Sequence, residues 1–200
     1  VNAAFWNAGQ NCSAASRLIV HKSVKPALME RIEARLRDWK VGDPLDPANH
    51  IGALIDAGHC AKVRGYLDDK GDGPYVAPVI FEVSKDDPKA REEIFGPVLS
   101  VIEVASNEEA VAEANDTAYG LAASVFSANG RKAIRAARDI RAGTVTVNCY
   151  GEGNIATPFG GYKQSGFGGR DNGVHAHDQD TEVKTIWIDL TDPRDGDNVA

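Results

Sequence analysis

The stretch GPVLSVIEVASNEEAVAEAN, residues 96–115, constrains the fold more than any other part of the chain. Gly96-Pro97 halts whatever precedes it, and the apolar run at 98–104 reads as a strand. Ser106-Asn107-Glu108-Glu109 then forms a capping box: the serine can cap the amide three residues on, and the glutamate can reach back. A helix to about Asn115 is predicted. A strand that runs straight into a capped helix belongs to a chain of alternating elements, and the rest of the sequence repeats that alternation.

Residues 17–21 are a β-branched run that reads as a buried strand. Residues 23–39 follow as a helix, with Val24, Leu28, Ile32, Leu36 and Trp39 at helical spacing and Pro26 admissible only in the first turn. VGDPLDPANHIG is a loop, 56–69 a weaker helix, YVAPVIFEV a strand and 88–93 a short helix. Strand 121–126, helix 131–139 and strand 144–147 complete the series. The predicted fold is α/β, a largely parallel sheet flanked by helices. A glycine-rich stretch runs from 148 to 169. TEVKTIWIDL, 181–190, reads as a last strand, and TDPRDGDNVA as a frayed tail.

A formal net charge of −7 argues against nucleic acid or an anionic membrane as the main partner. No apolar run reaches the length of a membrane span. The start, VNAAFWNAGQNC, lacks the features of a secretory signal and reads as the last turns of a helix. The sequons at Asn11 and Asn115 are discounted for the same reason. Cys12, Cys60 and Cys149 fit no metal or disulfide pattern, so reduced thiols, a cytoplasmic location and no metal are expected. Gly151, Gly153 and Ala156 spell a nominal dinucleotide fingerprint, but Thr157-Pro158 cannot open the helix that it needs. GGYKQS lacks the order of a phosphate-binding loop. His175 and His177 are placed on a solvated surface.

Cys12 sits in GQNCSAASR, among neighbours poorly suited to a core. A small buried thiol is one reading. A nucleophile on a turn is the other, with small residues after it that allow close backbone approach to a developing oxyanion. The residues alone leave both open. Four stretches then resemble, in order, the aldehyde dehydrogenase superfamily: FWNAGQNCSAASR, AREEIFGPVLSV, NDTAYGLAASVFS and VNCYGEGNIATPFGGYKQSGFGGRD. Together they cover nearly the whole chain.

The resemblance implies a role for each candidate residue. Cys12 is the nucleophile, attacking an aldehyde to form a thiohemiacetal and then a thioester, with its own amide as an oxyanion donor. Glu93 and Phe95 contact the nicotinamide side of NAD or NADP. His59 and Lys62 lie where members contact the adenosine ribose. Phe159 walls the aldehyde pocket, Asp171 serves a proton relay, and Glu182 is an interface acid. Each has a plainer alternative: a surface carboxylate for Glu93, core packing for Phe95 and Phe159, solvent for His59 and Lys62, a helix cap for Asp171. The resemblance also implies a homo-oligomer, dimer or tetramer, joined through the last strand.

Residues 1–178 are expected to be the cysteine-bearing catalytic domain, 179–190 the oligomerisation strand and 191–200 a tail. The nucleotide-binding domain, the glutamate that activates water and the oxyanion-hole asparagine are expected upstream of Val1. Alone, the chain is expected to be inactive as a dehydrogenase. The link KGDGP is shorter than the resemblance implies, and SGFGGRD carries one glycine more. The wording from VNCYGEGN to TIWIDL resembles the subgroup acting on aminoaldehydes such as γ-glutamyl-γ-aminobutyraldehyde, in polyamine breakdown. Two other readings stand beside it: cofactor-independent ester hydrolysis at Cys12, and a non-catalytic oligomerisation domain.

Overall fold

The computed structural model describes residues 1–69, 71–151 and 153–190. Its centre is a parallel sheet of three strands: β1 (Arg17–His21), β2 (Val79–Glu82) and β3 (Val98–Val104), in the order β1-β3-β2. The middle strand explains itself. Six of its seven residues are buried, and only Glu103 is exposed, where it pairs with Lys25 at 3.1 Å. A strand covered on both faces needs a nearly continuous apolar run, which VLSVIEV supplies, with the buried Ser100 hydroxyl donating to the Lys89 carbonyl at 2.7 Å.

The chain enters through a short helix, α1 (Asn2–Phe5), whose Phe5 is fully buried under the sheet. Helix α2 (Lys25–Leu36) is shorter than predicted at both ends. Val24 is its cap, and Trp39 lies beyond it in a tight turn to the Leu36 carbonyl (2.9 Å), stacked on His50. Helix α3 (Ala57–Leu67) is capped by Asp56, which accepts from the His59 amide at 2.7 Å, and stops at Asp68 in the left-handed region. A short α4 (Pro88–Arg91) precedes β3. Helix α5 (Asn107–Asn115) follows it, with Ser106 capping the Glu109 amide at 3.0 Å. Glu109 reaches back to the Ala105 amide, 2.7 Å, one residue further than the standard box.

After the two-residue β4 (Tyr119–Gly120), strand β5 (Ala122–Val125), helix α6 (Gly130–Asp139) and strand β6 (Thr144–Val147) make a β-α-β unit with parallel pairing. A last two-residue strand, β7 (Tyr162–Lys163), pairs antiparallel with β4. Lys163 extends its ammonium to the Asn115 and Thr117 carbonyls (2.8 and 3.1 Å), closing the C-terminus of α5. Burial, reinforced by the nearby Arg141 and Arg17, lowers its pKa.

Two expectations change. YVAPVIFEV pairs over only four residues, because Pro78 has no amide to donate and pairing starts at Val79. Residues 181–190 form no strand: every one is exposed, Trp187 by 92 %, and no ladder partner lies among the described residues. A strand is defined by its neighbour, and among the described residues that segment has no paired strand. The tail at 191–200 lies outside the described residues.

The short link after α3 is organised by one buried cation. Arg64 donates to the carbonyls of Asp72, Gly73 and Tyr75 (3.2, 3.2 and 2.8 Å) and pairs with Asp69 at 3.3 Å. Arg64→Met removes all four contacts and leaves the three carbonyls without this donor. The expected cost is about 2–4 kcal/mol, read as a lower denaturation midpoint. An unchanged midpoint would show that the link holds itself.

Candidate active site

Parallel pairing brings distant loops together. The turn at 9–16 leads into β1 and the loop at 92–96 leads towards β3, so both lie at the edge of the sheet where those neighbouring strands begin. Some eighty residues apart in sequence, they share one narrow cleft, lined by Gly9, Asn11, Ala14, Glu93, Phe95 and Gly96 among others.

The cysteine turn is built on an unusual backbone. After α1 the chain makes three successive left-handed residues, Asn7, Ala8 and Gly9, with φ of 52°, 56° and 70°. Such geometry costs roughly 1–2 kcal/mol per residue for anything but glycine. Asn7 offsets part of this by donating its side-chain amide to the Gln10 carbonyl at 2.8 Å. Gln10 in turn accepts from the Ile55 amide at 3.0 Å, and the Ala15 amide reaches the Ala3 carbonyl at 2.8 Å. The turn is thus tied at both ends. Gly9 also presses on the facing loop: a Cβ there would stand 2.0 Å from the Gly96 carbonyl oxygen.

Cys12 stands exposed on this turn among the described residues. Its Sγ faces Asn11 Oδ1 at 3.8 Å, and the same oxygen accepts from the Ser13 amide at 3.4 Å. Ser13 is buried and anchors the turn. The backbone amide of Cys12 donates to no group among the described residues. An exposed thiol beside a free amide can attack a carbonyl carbon and receive the resulting oxyanion.

On the facing loop, Glu93 is exposed and its carboxylate makes no hydrogen bond or ion pair with the described residues. Phe95 is half-buried and holds φ of 60°, a conformation that persists only where its surroundings enforce it. His59 and Lys62 reach this loop, but through its backbone. His59 Nε2 donates to the Phe95 carbonyl at 2.7 Å, and Lys62 Nζ to the Glu93 carbonyl at 3.1 Å. Tyr66 donates its hydroxyl to the Glu92 carboxylate, a bond that, ahead of burial, raises the tyrosine pKa. A two-oxygen acceptor held clear of other partners suits the vicinal hydroxyls of a ribose, so the residues present fit the nucleotide that the sequence implies.

The remaining candidates form a second group. Phe159 and Asp171 exchange backbone hydrogen bonds of 2.7 Å each way, so the aromatic and the acid are neighbours. Phe159 is half-buried. Asp171 is exposed, accepts from Gln179 Nε2 at 3.0 Å and caps no helix; the turn Val174–Gln179 is preceded by Gly173. No hydrogen bond links either residue to Cys12. Glu182 is exposed, with no partner among the described residues. His175 and His177 are exposed, as expected.

Tyr66 was not singled out by sequence, and Asn11 was read only as a sequon and a poor core neighbour of Cys12. Asn11 had a usable signal: an asparagine two residues before a serine can form a local side-chain turn around whatever lies between. Tyr66 had one as well, at i+3, i+4 and i+7 from Val63, Lys62 and His59.

The aldehyde dehydrogenase family model matches residues 1–186. The chain is 57% identical over 205 aligned positions to aminoacetaldehyde dehydrogenase of Pseudomonas aeruginosa, covering 96% of this chain and 41% of that protein. It is 42% identical over 200 positions to the NADP/NAD-dependent aldehyde dehydrogenase PuuC of Escherichia coli, covering 93% and 40%. Among solved structures, γ-glutamyl-γ-aminobutyraldehyde dehydrogenase from Burkholderia cenocepacia superposes with a TM-score of 0.83 at 46% identity, covering 88% of this chain and 39% of that one. The chain therefore spans about two fifths of the length of the curated relatives it matches.

Proposed function

The chain belongs to the aldehyde dehydrogenase family, and from that membership we propose that it is the cysteine-bearing catalytic part of an NAD- or NADP-dependent enzyme that oxidises an aldehyde to a carboxylic acid. The observation that carries this reading is the cleft itself. It sets the turn that carries the exposed Cys12, whose amide donates to no described residue, against a loop whose Glu93 carboxylate has no partner among the described residues.

In the proposed reaction the Cys12 thiolate adds to the aldehyde carbon, and the Cys12 amide holds the oxygen that becomes negative. NAD or NADP, when bound, supplies the acceptor for the hydride that must leave. Cys12 then carries the acyl group as a thioester, and water releases the acid and regenerates the thiolate. Glu93 binds the ribose on the nicotinamide side and Phe95 borders the ring. Phe159 faces the aldehyde and Asp171 relays protons. The carboxylate that activates water is assigned to sequence beyond these residues, as is the asparagine of the oxyanion hole. Residues 1–178 form the catalytic domain, and 179–190, with Glu182, the strand that joins a second subunit in a cytoplasmic homo-oligomer. No helix among the described residues is long and apolar enough to cross a membrane.

The names of the relatives favour an amino-substituted aldehyde as substrate, in the chemistry of polyamine breakdown. The test uses the native polypeptide and residues 1–200 alone, each given aminoacetaldehyde and NAD or NADP. Reduced cofactor is expected from the native polypeptide only. Its absence there with every aldehyde tried would overturn the dehydrogenase reading, and its production by residues 1–200 would overturn the assignment of essential groups elsewhere.

A further inference from the structure

We propose that helix α3 is the positioning element of the cofactor loop, with His59, Lys62 and Tyr66 acting through the backbone and flank of residues 92–96 rather than by touching the cofactor. The proposal rests on the reading of that loop as the nicotinamide-side contact.

Residues 59, 62, 63 and 66 lie on one face of α3, at i, i+3, i+4 and i+7. Each engages a different residue of the loop. His59 takes the Phe95 carbonyl (2.7 Å), Lys62 the Glu93 carbonyl (3.1 Å) and Tyr66 the Glu92 carboxylate. Val63, fully buried, lies so close to Gly96 that a Cβ added to the glycine would meet its methyl groups at 2.8 and 2.9 Å. The grip spares the one group the chemistry needs. Lys62 holds Glu93 by its main-chain oxygen, and the Glu93 carboxylate stays free.

The same grip accounts for Phe95. Its left-handed backbone needs enforcement, and its carbonyl is held by His59 while the adjoining Gly96 is wedged between Val63 and the Gly9 turn. The polar ends of His59 and Lys62 are used on the loop. A loop ordered before the nucleotide arrives spares the nucleotide that ordering cost.

Lys62→Met, Tyr66→Phe and the double variant, made in the native polypeptide, separate positioning from direct contact. Lys62 is exposed and Tyr66 half-buried, so neither change removes core, and unchanged melting temperatures confirm it. Three readouts apply: hydrogen exchange of amides 93–96 without cofactor, NAD+ affinity by calorimetry, and the same for Glu93→Ala. In the double variant, exchange at 93–96 is expected to rise roughly tenfold and affinity to fall roughly tenfold, about the loss of two modest hydrogen bonds. Lys62→Arg is expected to restore most of both. If affinity falls while cofactor-free exchange stays at the wild-type rate, the side chains touch the nucleotide directly and the positioning role is wrong. It is equally wrong if neither changes. If Glu93→Ala keeps wild-type affinity, the reading of the loop as the cofactor contact fails, and this proposal falls with it.

Discussion

Cys12→Ser is expected to abolish aldehyde oxidation in the native polypeptide, by roughly 10⁴-fold or more in kcat, because a hydroxyl at this position cannot replace the thiolate as attacking group. The structure makes the substitution unusually clean. Cys12 is exposed, and among the described residues its sulfur makes a single weak hydrogen bond, 3.8 Å to Asn11 Oδ1. Serine removes no core volume and leaves the turn's own ties, from Asn7 to Gln10 and from Ala15 to Ala3, untouched. Stability should stay within about 0.5 kcal/mol, and NAD+ affinity should not move, since Glu93 and Phe95 remain in place. The same variant also addresses ester hydrolysis without cofactor. If the thiol acts alone on activated esters, that activity disappears together with the oxidation. Oxidation retained at even a hundredth of the wild-type rate would mean that another group attacks the aldehyde. Cys149, also exposed, would then be the next thiol to test.

The elements that sequence located to the residue share a property. Strand β3, helix α5 and strand β6 are bounded by strong local signals: a Gly-Pro pair, a capping box, a short β-branched run between turns. Where the boundary depends on a partner, sequence overreached. The segment 181–190 has the alternation of a strand but no paired strand among the described residues, and YVAPVIFEV pairs only where β3 lies alongside it. Trp39 fits the periodicity of α2 yet packs beyond its end, edge-on to Phe5 at 6.3 Å, because tertiary contact rather than helical register buries it.

For the site, the division runs differently. Cys12, Glu93 and Phe95 are proposed from the motifs that carry them, and the cleft brings those two motifs together. Their adjacency was not legible from spacing: it follows from β1 and β3 being parallel neighbours, a fact of topology. Nor could His59 and Lys62 be assigned their backbone partners, since a helix face shows which side chains travel together but not what they meet. The left-handed run before Cys12 is invisible for the same reason. Asparagine tolerates that geometry, but Ala8 adopts it only because the packed turn compels it.

Gly9 is where these separate facts meet, and Gly9→Ala tests them together. The added methyl encounters two obstacles. The backbone there has φ of 70°, which disfavours any side chain, and the methyl would lie 2.0 Å from the Gly96 carbonyl oxygen. The obstacle is main chain on the opposite loop, so no rotamer change relieves it, and the turn and the loop must part. The expected loss is roughly 2–4 kcal/mol in stability. Separation by even 1 Å displaces Cys12 from the loop that carries Glu93, so oxidation should fall about a hundredfold beyond what stability explains. Gly65→Ala is the matched control. It lies within α3, nothing stands within 4 Å of its added Cβ, and a slight gain in stability is expected. A Gly9→Ala protein that melts normally but oxidises slowly would show that the contact sets reactive geometry more than it holds the fold. One that melts early yet keeps its specific activity would show the reverse, and the spacing of thiol and loop would then have to be set by α3 alone.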